Sequence, residues 1–386
     1  MTVSRGLVEA QGTRFAGIDP WLPAVVAPPD GDVITAALPD GTRVAGVVQH
    51  QVHDRTSAAR LWSATEVWEL TPLLGGAGAA GMDALLRAWR QWMDRAGAAE
   101  RDSACVVTWP SRDAEAAQAL LGHGLVPLSV IAVRRTSPAG VTRIPSAMAR
   151  ATPSRTPSPS PPTTLDSTRS GPSSAQVRPD THNAAPIGPI GPIGPIGPIG
   201  ARVGRTPPLA GALAARTTPP SGTFAIRRAT PADLETVLTL ALAELRYSAL
   251  VGSTVDRPEA AELKRRTLAE RLAAGGPAWL AERDGIAVAL AECALVTSEP
   301  GNWTSTRLPT GRWGYVNCVS VLPGARGAGI GRHLMAYAHR ELQRLGTVGS
   351  YLYYNPPNPL SSVFWPRQGY RPLWTVWEVR PAGALR

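Results

Sequence analysis

The chain has 386 residues, of which 44% are apolar and 18% are charged, a composition typical of globular proteins. No apolar run approaches the roughly 20 residues of a membrane-spanning helix, and the N-terminal segment lacks the apolar core of a secretory leader. The three cysteines, Cys105, Cys293 and Cys318, cannot form a full disulfide set and do not have metal-ligand spacing. We therefore expect a reduced, cytoplasmic protein without a metal or a membrane partner.

The net charge of +10 suggests nucleic-acid binding until it is divided along the chain. Residues 1–136 carry a formal charge of −2, whereas residues 137–222 and residues 223–386 carry +6 each. Only one basic residue is a lysine, Lys264, against 38 arginines, which is typical of a GC-rich coding sequence. We therefore predict no specific nucleic-acid partner.

A proline-rich segment divides the chain. Residues 137–222 contain 18 of the 38 prolines and no Phe, Trp or Tyr, so this segment cannot bury enough apolar surface to fold. It includes five Pro-Ile-Gly triplets, residues 186–200, which favour an extended polyproline II conformation. Six tryptophans precede the segment and six follow it. The pattern predicts two folded domains, residues 1–136 and 223–386, joined by a disordered Pro/Ser/Thr-rich linker that acts as a spacer or, alternatively, as a proline-motif ligand.

The first block has the alternation of strands and helices typical of an α/β fold. In chain order the pattern predicts strands over 44–52 and 66–70, a helix over 82–95, a strand from Cys105, a helix over 114–121 and two closing strand segments. Between the second strand and the first helix, residues 71–81 are rich in glycine. No Arg, Lys or Gln lies between Arg60 and Arg87.

The second block begins with a strand at Phe224 and a helix whose start, Thr230-Pro-Ala-Asp233, has a hydroxyl cap, a proline and an acid at the preferred positions. The pattern then predicts a helix over 258–273, a strand-turn-strand unit over 278–296 and a strand over 314–322.

A glycine-rich turn follows that last strand directly. The sequence Val321-Leu-Pro-Gly-Ala-Arg-Gly-Ala-Gly-Ile-Gly331 ends the strand and opens an amphipathic helix. Such a turn offers free backbone N–H groups at a helix N-terminus, glycines that allow close approach, and the cation of Arg326, which together suit a pyrophosphate. The glycine spacing matches neither the dinucleotide fingerprint nor the nucleotide-triphosphate loop.

The two blocks end alike. Gly124-Leu-Val-Pro-Leu128 and Gly369-Tyr-Arg-Pro-Leu373 share Gly-x-x-Pro-Leu at an offset of 245, and each follows a strand, a loop and a helix. We interpret this as an internal duplication, with coincidence between two α/β tails as the alternative.

With these motifs, the second block resembles the GNAT family of N-acetyltransferases, which move an acetyl group from acetyl-CoA to an amine. The resemblance covers about residues 224–380 and depends on Arg326-Gly-Ala-Gly-Ile-Gly331 after Val-x-Pro. It implies a bacterial tandem protein of α/β (α+β) class, with two GNAT-like domains that each have a mixed, mostly antiparallel sheet flanked by helices. The first block would be a degenerate, non-catalytic domain, because its glycine-rich segment lacks the cation.

The resemblance also implies a site. It places acetyl-CoA contacts at Val319, Val321, Arg326, Gly327, Ala328, Gly329, Ile330, Gly331, Arg332 and Asn355. The family's usual acid, a tyrosine, is replaced here by Trp365. Either the thiolate leaves unassisted or a nearby group protonates it, the substitutes being Tyr353, Tyr354, Ser361 and Ser362. Glu292, in an apolar strand, is either the base that deprotonates the amine or a residue on a solvated face. Tyr315 is expected to line the acceptor site and is, with Glu292 and Tyr354, a candidate catalytic residue.

The function implied is direct transfer of acetyl to a primary amine of a small molecule or peptide, in a ternary complex. A non-catalytic acetyl-CoA sensor is the alternative. The acceptor and the oligomeric state are left open by the sequence.

Overall fold

The computed structural model describes residues 5–97, 102–136, 224–252, 254 and 256–386. We call residues 5–136 the first half and residues 224–386 the second half. The predicted linker, with its Pro-Ile-Gly repeats, lies outside the described residues, and its disorder stays a prediction.

The predicted elements of both halves are present, with ends shifted by a few residues. The first half contains α1 (Arg5–Ile18), β1 (Asp32–Ala37), β2 (Arg43–Val52), β3 (Glu66–Leu73), α2 (Gly78–Ala96), β4 (Ser103–Pro110), α3 (Ala114–Gly122) and β5 (Val126–Arg135). The second half contains β6 (Phe224–Arg228), α4 (Leu234–Leu250), α5 (Ala260–Ala273), β7 (Ala278–Arg283), β8 (Ile286–Ser298), β9 (Gly311–Val321), α6 (Ile330–Arg344), β10 (Gly349–Tyr354), α7 (Pro359–Arg367) and β11 (Arg371–Val379).

All eleven strands form one sheet, in the order β1-β2-β3-β4-β11-β5-β10-β9-β8-β7-β6. Neighbouring strands run antiparallel except at two places, β3 with β4 and β9 with β10. The prediction of a mixed, mostly antiparallel sheet flanked by helices is therefore confirmed for the second half.

The last strand of each half is exchanged. β11 pairs with β4 of the first half, with Trp374 opposite Pro110, and β5 pairs with β10 of the second half, with Val130 opposite Tyr354. β5 and β11 also pair with each other. Our expectation of a separate sheet in each half therefore differs from the structure, because each half completes the sheet of the other. The described residues of both halves belong to one compact unit.

The similarity between the ends of the two halves extends from the sequence to the structure. α3 and α7 are both nine residues long and begin at positions 114 and 359, and β5 and β11 begin at 126 and 371, so the offset of 245 is kept. Asp113 and Asn358, also 245 apart, each cap their helix by accepting a backbone N–H in its first turn.

Helices cover both faces of the sheet in the second half. Successive residues of a strand point to opposite faces. On β8, Leu290 packs in a cluster with residues of α4 and α5, and its neighbour Ala291 packs in a cluster with residues of α6. A bulge in the pairing of β8 with β9 leaves Glu292 opposite Cys318 and Cys293 opposite Val316. The central strands are therefore enclosed between α4 and α5 on one side and α6 on the other.

Candidate functional site

The parallel strands β9 and β10 separate shortly after they meet. Their pairing is confined to Trp313–Tyr315 against Gly349–Tyr351. Beyond that point β9 keeps its pairing with β8 as far as Val321, and β10 keeps its pairing with β5 as far as Tyr354. The facing edges of the two strands therefore carry unpaired peptide groups, and these can hydrogen-bond an extended ligand lying between them. We call the space between these edges the gap.

The glycine-rich turn lies at the end of β9, and α6 begins three residues after Gly327. Gly327 has φ of 86° and Gly329 has φ of 76°, in the left-handed region that favours glycine. The first N–H groups of α6 have no acceptor within the helix and carry its positive end. Between residues 326 and 332, the exposed residues are Arg326, Gly327, Ala328 and Arg332. The predicted turn therefore has the conformation of an anion-binding helix start.

The turn is fixed by its neighbours. The Nε of Arg326 donates to the carbonyl oxygen of Val321 at 2.9 Å, and its guanidinium lies 5.3 Å from the ring centroid of Tyr247 on α4. Ile330, the first residue of α6, is buried. A Cβ at Gly331 would lie 3.3 Å from Cγ2 of Val321, so this position has little room for a side chain.

Asn355 stands at the end of β10 and is buried. Its Nδ2 donates to the carbonyl oxygen of Leu128 on β5 at 2.7 Å. Its Oδ1 is also buried and has no hydrogen-bond partner among the described residues. Buried polar atoms are rarely left unpaired, so this oxygen is an open acceptor for a donor in the gap. Val319 and Val321 are half-buried and pack against the cluster under α6.

Glu292 is buried, so the solvated-face alternative of the sequence analysis is wrong. Its Oε1 accepts from Nη1 of Arg271, on α5, at 2.6 Å, and its Oε2 accepts from Nδ2 of Asn317, on β9. Two donors on one carboxylate are the arrangement of an ionised group. Burial disfavours the charged guanidinium, but the charge of Glu292 more than offsets it and raises the pKa of Arg271.

Three tyrosines lie on the side of the gap that faces Arg271. Tyr315 stacks on Tyr351, with ring centroids 4.9 Å apart and planes 20° apart, and the ring of Tyr353 meets Tyr315 edge-on at 6.1 Å. Burial raises the pKa of Tyr315, so its hydroxyl stays protonated at neutral pH. Tyr354 is half-buried and packs in the cluster under α6, and burial raises its pKa as well.

The residue in the family's tyrosine position, Trp365, is buried between two rings. It meets Phe364 at 4.9 Å and Tyr370 at 5.5 Å, both edge-on. The hydroxyl of Tyr370 lies within hydrogen-bond distance of His339 and Ser350. These contacts are those of packed core residues.

The corresponding place in the first half is filled by α1. β3 and β4 pair over Glu66–Leu70 and separate beyond it. There the side-chain amide of Gln11, which is buried, donates to the carbonyl oxygen of Pro72 at 2.9 Å and accepts from the N–H of Leu74 at 2.7 Å. A Cβ at Gly75 would lie 3.0 Å from the side chain of Leu7. The glycine-rich segment of the first half is therefore covered by the chain's own helix.

Three features of the site were missed by sequence reasoning. These are the pairing of Arg271 with Glu292, the contact of Asn355 with β5, and the covering of the first half by α1. Each joins residues far apart in the chain, and a single sequence carries no signal for such pairs.

Among the described residues no group of three or more His, Cys, Asp or Glu side chains could hold a metal ion. Within the same ranges, no helix is both long and apolar enough to cross a bilayer.

Residues 242–370 match the sequence model of the Acetyltransferase (GNAT) family. No curated protein matches the chain. Among solved structures, the chain is similar to a GCN5-related N-acetyltransferase from Ralstonia eutropha JMP134, with 24% identity, 39% of this chain and 94% of that chain covered, and a TM-score of 0.33.

It is also similar to a predicted acetyltransferase with acetyl-CoA from Clostridium acetobutylicum, with 21% identity, coverage of 39% and 90%, and a TM-score of 0.32. A third structure, a GNAT family acetyltransferase from Brucella melitensis in complex with acetyl-CoA, has 20% identity, coverage of 42% and 90%, and a TM-score of 0.29. The family match, over the residues that contain the gap and the glycine turn, identifies the C-terminal part of the chain as a GNAT acetyltransferase domain.

Proposed function

We propose that the protein is an acetyl-CoA-dependent N-acetyltransferase whose reaction takes place in the gap of the second half. The observation that carries this proposal is the combination of two separated parallel strands with a left-handed glycine turn and a helix N-terminus at their end. The strand edges suit an extended amide-containing arm, and the helix start suits a pyrophosphate.

The residues present fit acetyl-CoA as a co-substrate. The backbone N–H groups from Gly327 to Gly331 would hold the pyrophosphate, including those of Ala328 and Ile330, with the side chains of Arg326 and Arg332 adding positive charge at its rim. The peptide groups of Val319 and Val321, on the free edge of β9, would hold the acetyl-pantetheine arm. The unpaired Oδ1 of Asn355 would accept from an amide N–H of that arm.

The chemistry is an exchange of one acyl bond for another. Acetyl-CoA supplies the acetyl group on a thioester, whose C–S bond is replaced by a C–N bond to the acceptor. An ammonium acceptor loses two protons overall, of which one goes to the departing thiolate and one to solvent.

We assign to Tyr354 the role of the acid that donates a proton to the departing thiolate, because its hydroxyl is protonated at neutral pH and its strand borders the gap. Glu292 is the proposed base. Since its carboxylate is buried behind Arg271 and Asn317, it would act through water. Tyr315, with its raised pKa, would serve as a wall of the acceptor site and keep its proton.

The first half is proposed to be a degenerate relative of the second, without catalytic activity. The constant offset of 245 between the closing elements of the two halves supports a common origin. Gln11 hydrogen-bonds the end of β3, where a co-substrate would have to bind. We assign a structural role to this half, because β5 pairs with β10, the strand that borders the gap.

Turnover tests this proposal. Purified protein with acetyl-CoA and a broad panel of primary amines should release CoA faster than the rate of hydrolysis alone, and mass spectrometry should find the acetylated amine. Binding of acetyl-CoA without turnover across the panel would favour the non-catalytic sensor. An absence of acetyl-CoA binding would exclude both.

A further inference from the structure

Arg271 has unused hydrogen-bonding capacity next to the acceptor side of the gap. Only Nη1 of its guanidinium is engaged, by Glu292. Nε and Nη2 have no hydrogen-bond partner among the described residues, and neither belongs to the fully buried unpaired atoms of that part of the chain. About 21% of the side chain is exposed, against 2% for Glu292. The guanidinium therefore reaches the centre of the sheet while two of its nitrogens stay open to solvent.

Other buried arginines differ from Arg271, because the unpaired Nε atoms of Arg14, Arg60 and Arg307 are fully buried and Arg257 is engaged at all three nitrogens. Arg257 donates through Nε to the carbonyl oxygen of Arg60 and through Nη2 to Ser63, and its Nη1 lies 3.0 Å from a carboxylate oxygen of Asp102. An arginine that is fixed at one nitrogen and free at the others has the arrangement needed to receive a second anion in a fixed geometry.

The position of Arg271 limits where such an anion would lie. Its partner Glu292 also accepts from Asn317, which lies on β9 two residues beyond Tyr315, the last β9 residue paired with β10. A group bound to Arg271 therefore lies near the point where the gap opens, which is where the proposed function places the reacting amine.

We propose that the acceptor is a small amine that carries a carboxylate close to the amine, such as a free amino acid, and that Arg271 binds this carboxylate through Nε and Nη2. The inference depends on the proposed acetyltransferase function. Glu292, the proposed base, also positions Arg271 in this arrangement, because its carboxylate holds the guanidinium against the sheet. Polyamines and peptide N-termini have no carboxylate beside the amine and would leave these donors unpaired.

The test compares matched acceptors on the full chain. Free CoA is measured with acetyl-CoA and pairs made of an amino acid and its decarboxylated amine, for example phenylalanine with phenethylamine and lysine with cadaverine. A charge-assisted hydrogen-bonded pair predicts that each amino acid has kcat/KM higher than its amine partner by about tenfold to a hundredfold, mainly through KM.

Two variants test whether Arg271 causes the preference for the amino acid. Arg271→Lys keeps a cation to pair with Glu292, the proposed base, but removes the two free guanidinium donors. The preference for the amino acid, expressed as a ratio of kcat/KM values, should fall to near one. The control Arg265→Lys makes the same change at an exposed arginine of α5, which pairs with Glu235 of α4, and should keep the ratio.

Equal kcat/KM for both members of each pair would overturn the carboxylate proposal and leave the acetyltransferase function standing. A ratio that survives in Arg271→Lys would overturn the role of Arg271. Acetyl-CoA binding with no turnover of any amine would overturn the proposed function itself, and the acceptor proposal with it.

Discussion

Nδ2 of Asn355 donates to the carbonyl oxygen of Leu128 at 2.7 Å, and this bond joins the end of β10 to β5, a strand from the other half of the chain. Asn355 is also the residue whose free Oδ1 we assign to acetyl-CoA. The orientation of a proposed co-substrate contact in the second half thus depends on the first half.

The exchange of β5 and β11 predicts that neither half folds correctly alone. Fragments 1–136 and 223–386, expressed together, should form a stable complex that binds acetyl-CoA, because every strand pairing survives the cut. Expressed separately, each fragment lacks the strand that completes its sheet and should be insoluble or self-associated. Co-purification and size-exclusion chromatography measure both.

The full chain lacking residues 150–215 is the matched control, since it keeps both halves covalently linked, and it should keep its acetyl-CoA binding and activity. A soluble, monomeric 223–386 fragment with undiminished acetyl-CoA affinity would contradict the dependence of one half on the other.

Gly329→Asp should lower acetyl-CoA affinity by at least tenfold. The variant introduces a side chain where φ is 76° and a negative charge at the proposed pyrophosphate site. Gly324→Ala is the control, because a Cβ at Gly324 meets no atom within 4 Å. Isothermal titration calorimetry measures both. Arg326→Ala should have a smaller effect, about a few-fold, because the exposed side chain interacts through solvent.

The stoichiometry of acetyl-CoA should be one per chain. The strand edge that would bind a second molecule, in the first half, is already hydrogen-bonded by Gln11 of α1. Calorimetry or equilibrium dialysis gives the number directly. Gln11→Leu should reduce stability, by about 1–3 kcal/mol, since it leaves two buried backbone groups unpaired, and it should not change the affinity of the second half. Two equivalent sites per chain would show that α1 does not close the first half.

The free energy of unfolding should fall as pH rises from about 5 to above 8, because the buried carboxyl of Glu378 has a raised pKa in the folded state. Burial raises the pKa of this carboxyl to about 8, although the neighbouring Arg380 opposes the shift. The same group in an unfolded chain titrates near its ordinary value of about 4.3. Between these values the folded state binds more protons than the unfolded state, so the free energy of unfolding decreases with rising pH.

Urea denaturation at pH 5.5 and pH 8.5 measures this dependence. Glu378→Gln should flatten the slope, whereas Glu9→Gln, on an exposed residue, should leave it unchanged. A slope that is the same in Glu378→Gln and in the parent would assign the dependence to other groups.

Local elements could be predicted from the sequence because their causes are local. The periodicity of residues 114–121 predicted a helix, and the glycines around Arg326 predicted a turn, and the structure contains both. The shared Gly-x-x-Pro-Leu also predicted that the halves end alike. The exchange of β5 and β11 could not be predicted, because their hydrophobic pattern is satisfied by either neighbour in the sheet.

The same limit applies to the site. A carboxylate in an apolar strand drew attention to Glu292, but its partner Arg271 lies 21 residues away on a helix whose pattern suggests an ordinary surface. The ionic partner decides whether the carboxylate contacts the substrate directly or acts through other groups. Predicting which of these applies requires knowing how α5 packs on the sheet.

The measurement that tests the central claim most directly is acetyl transfer by the purified full chain. With acetyl-CoA and an amine panel that includes free amino acids, the account predicts release of CoA that depends on the amine, formation of the acetylated amine, and at least a tenfold loss of this activity in Gly329→Asp at limiting acetyl-CoA. Release of CoA that is the same with and without amine, or activity unchanged in Gly329→Asp, would contradict it.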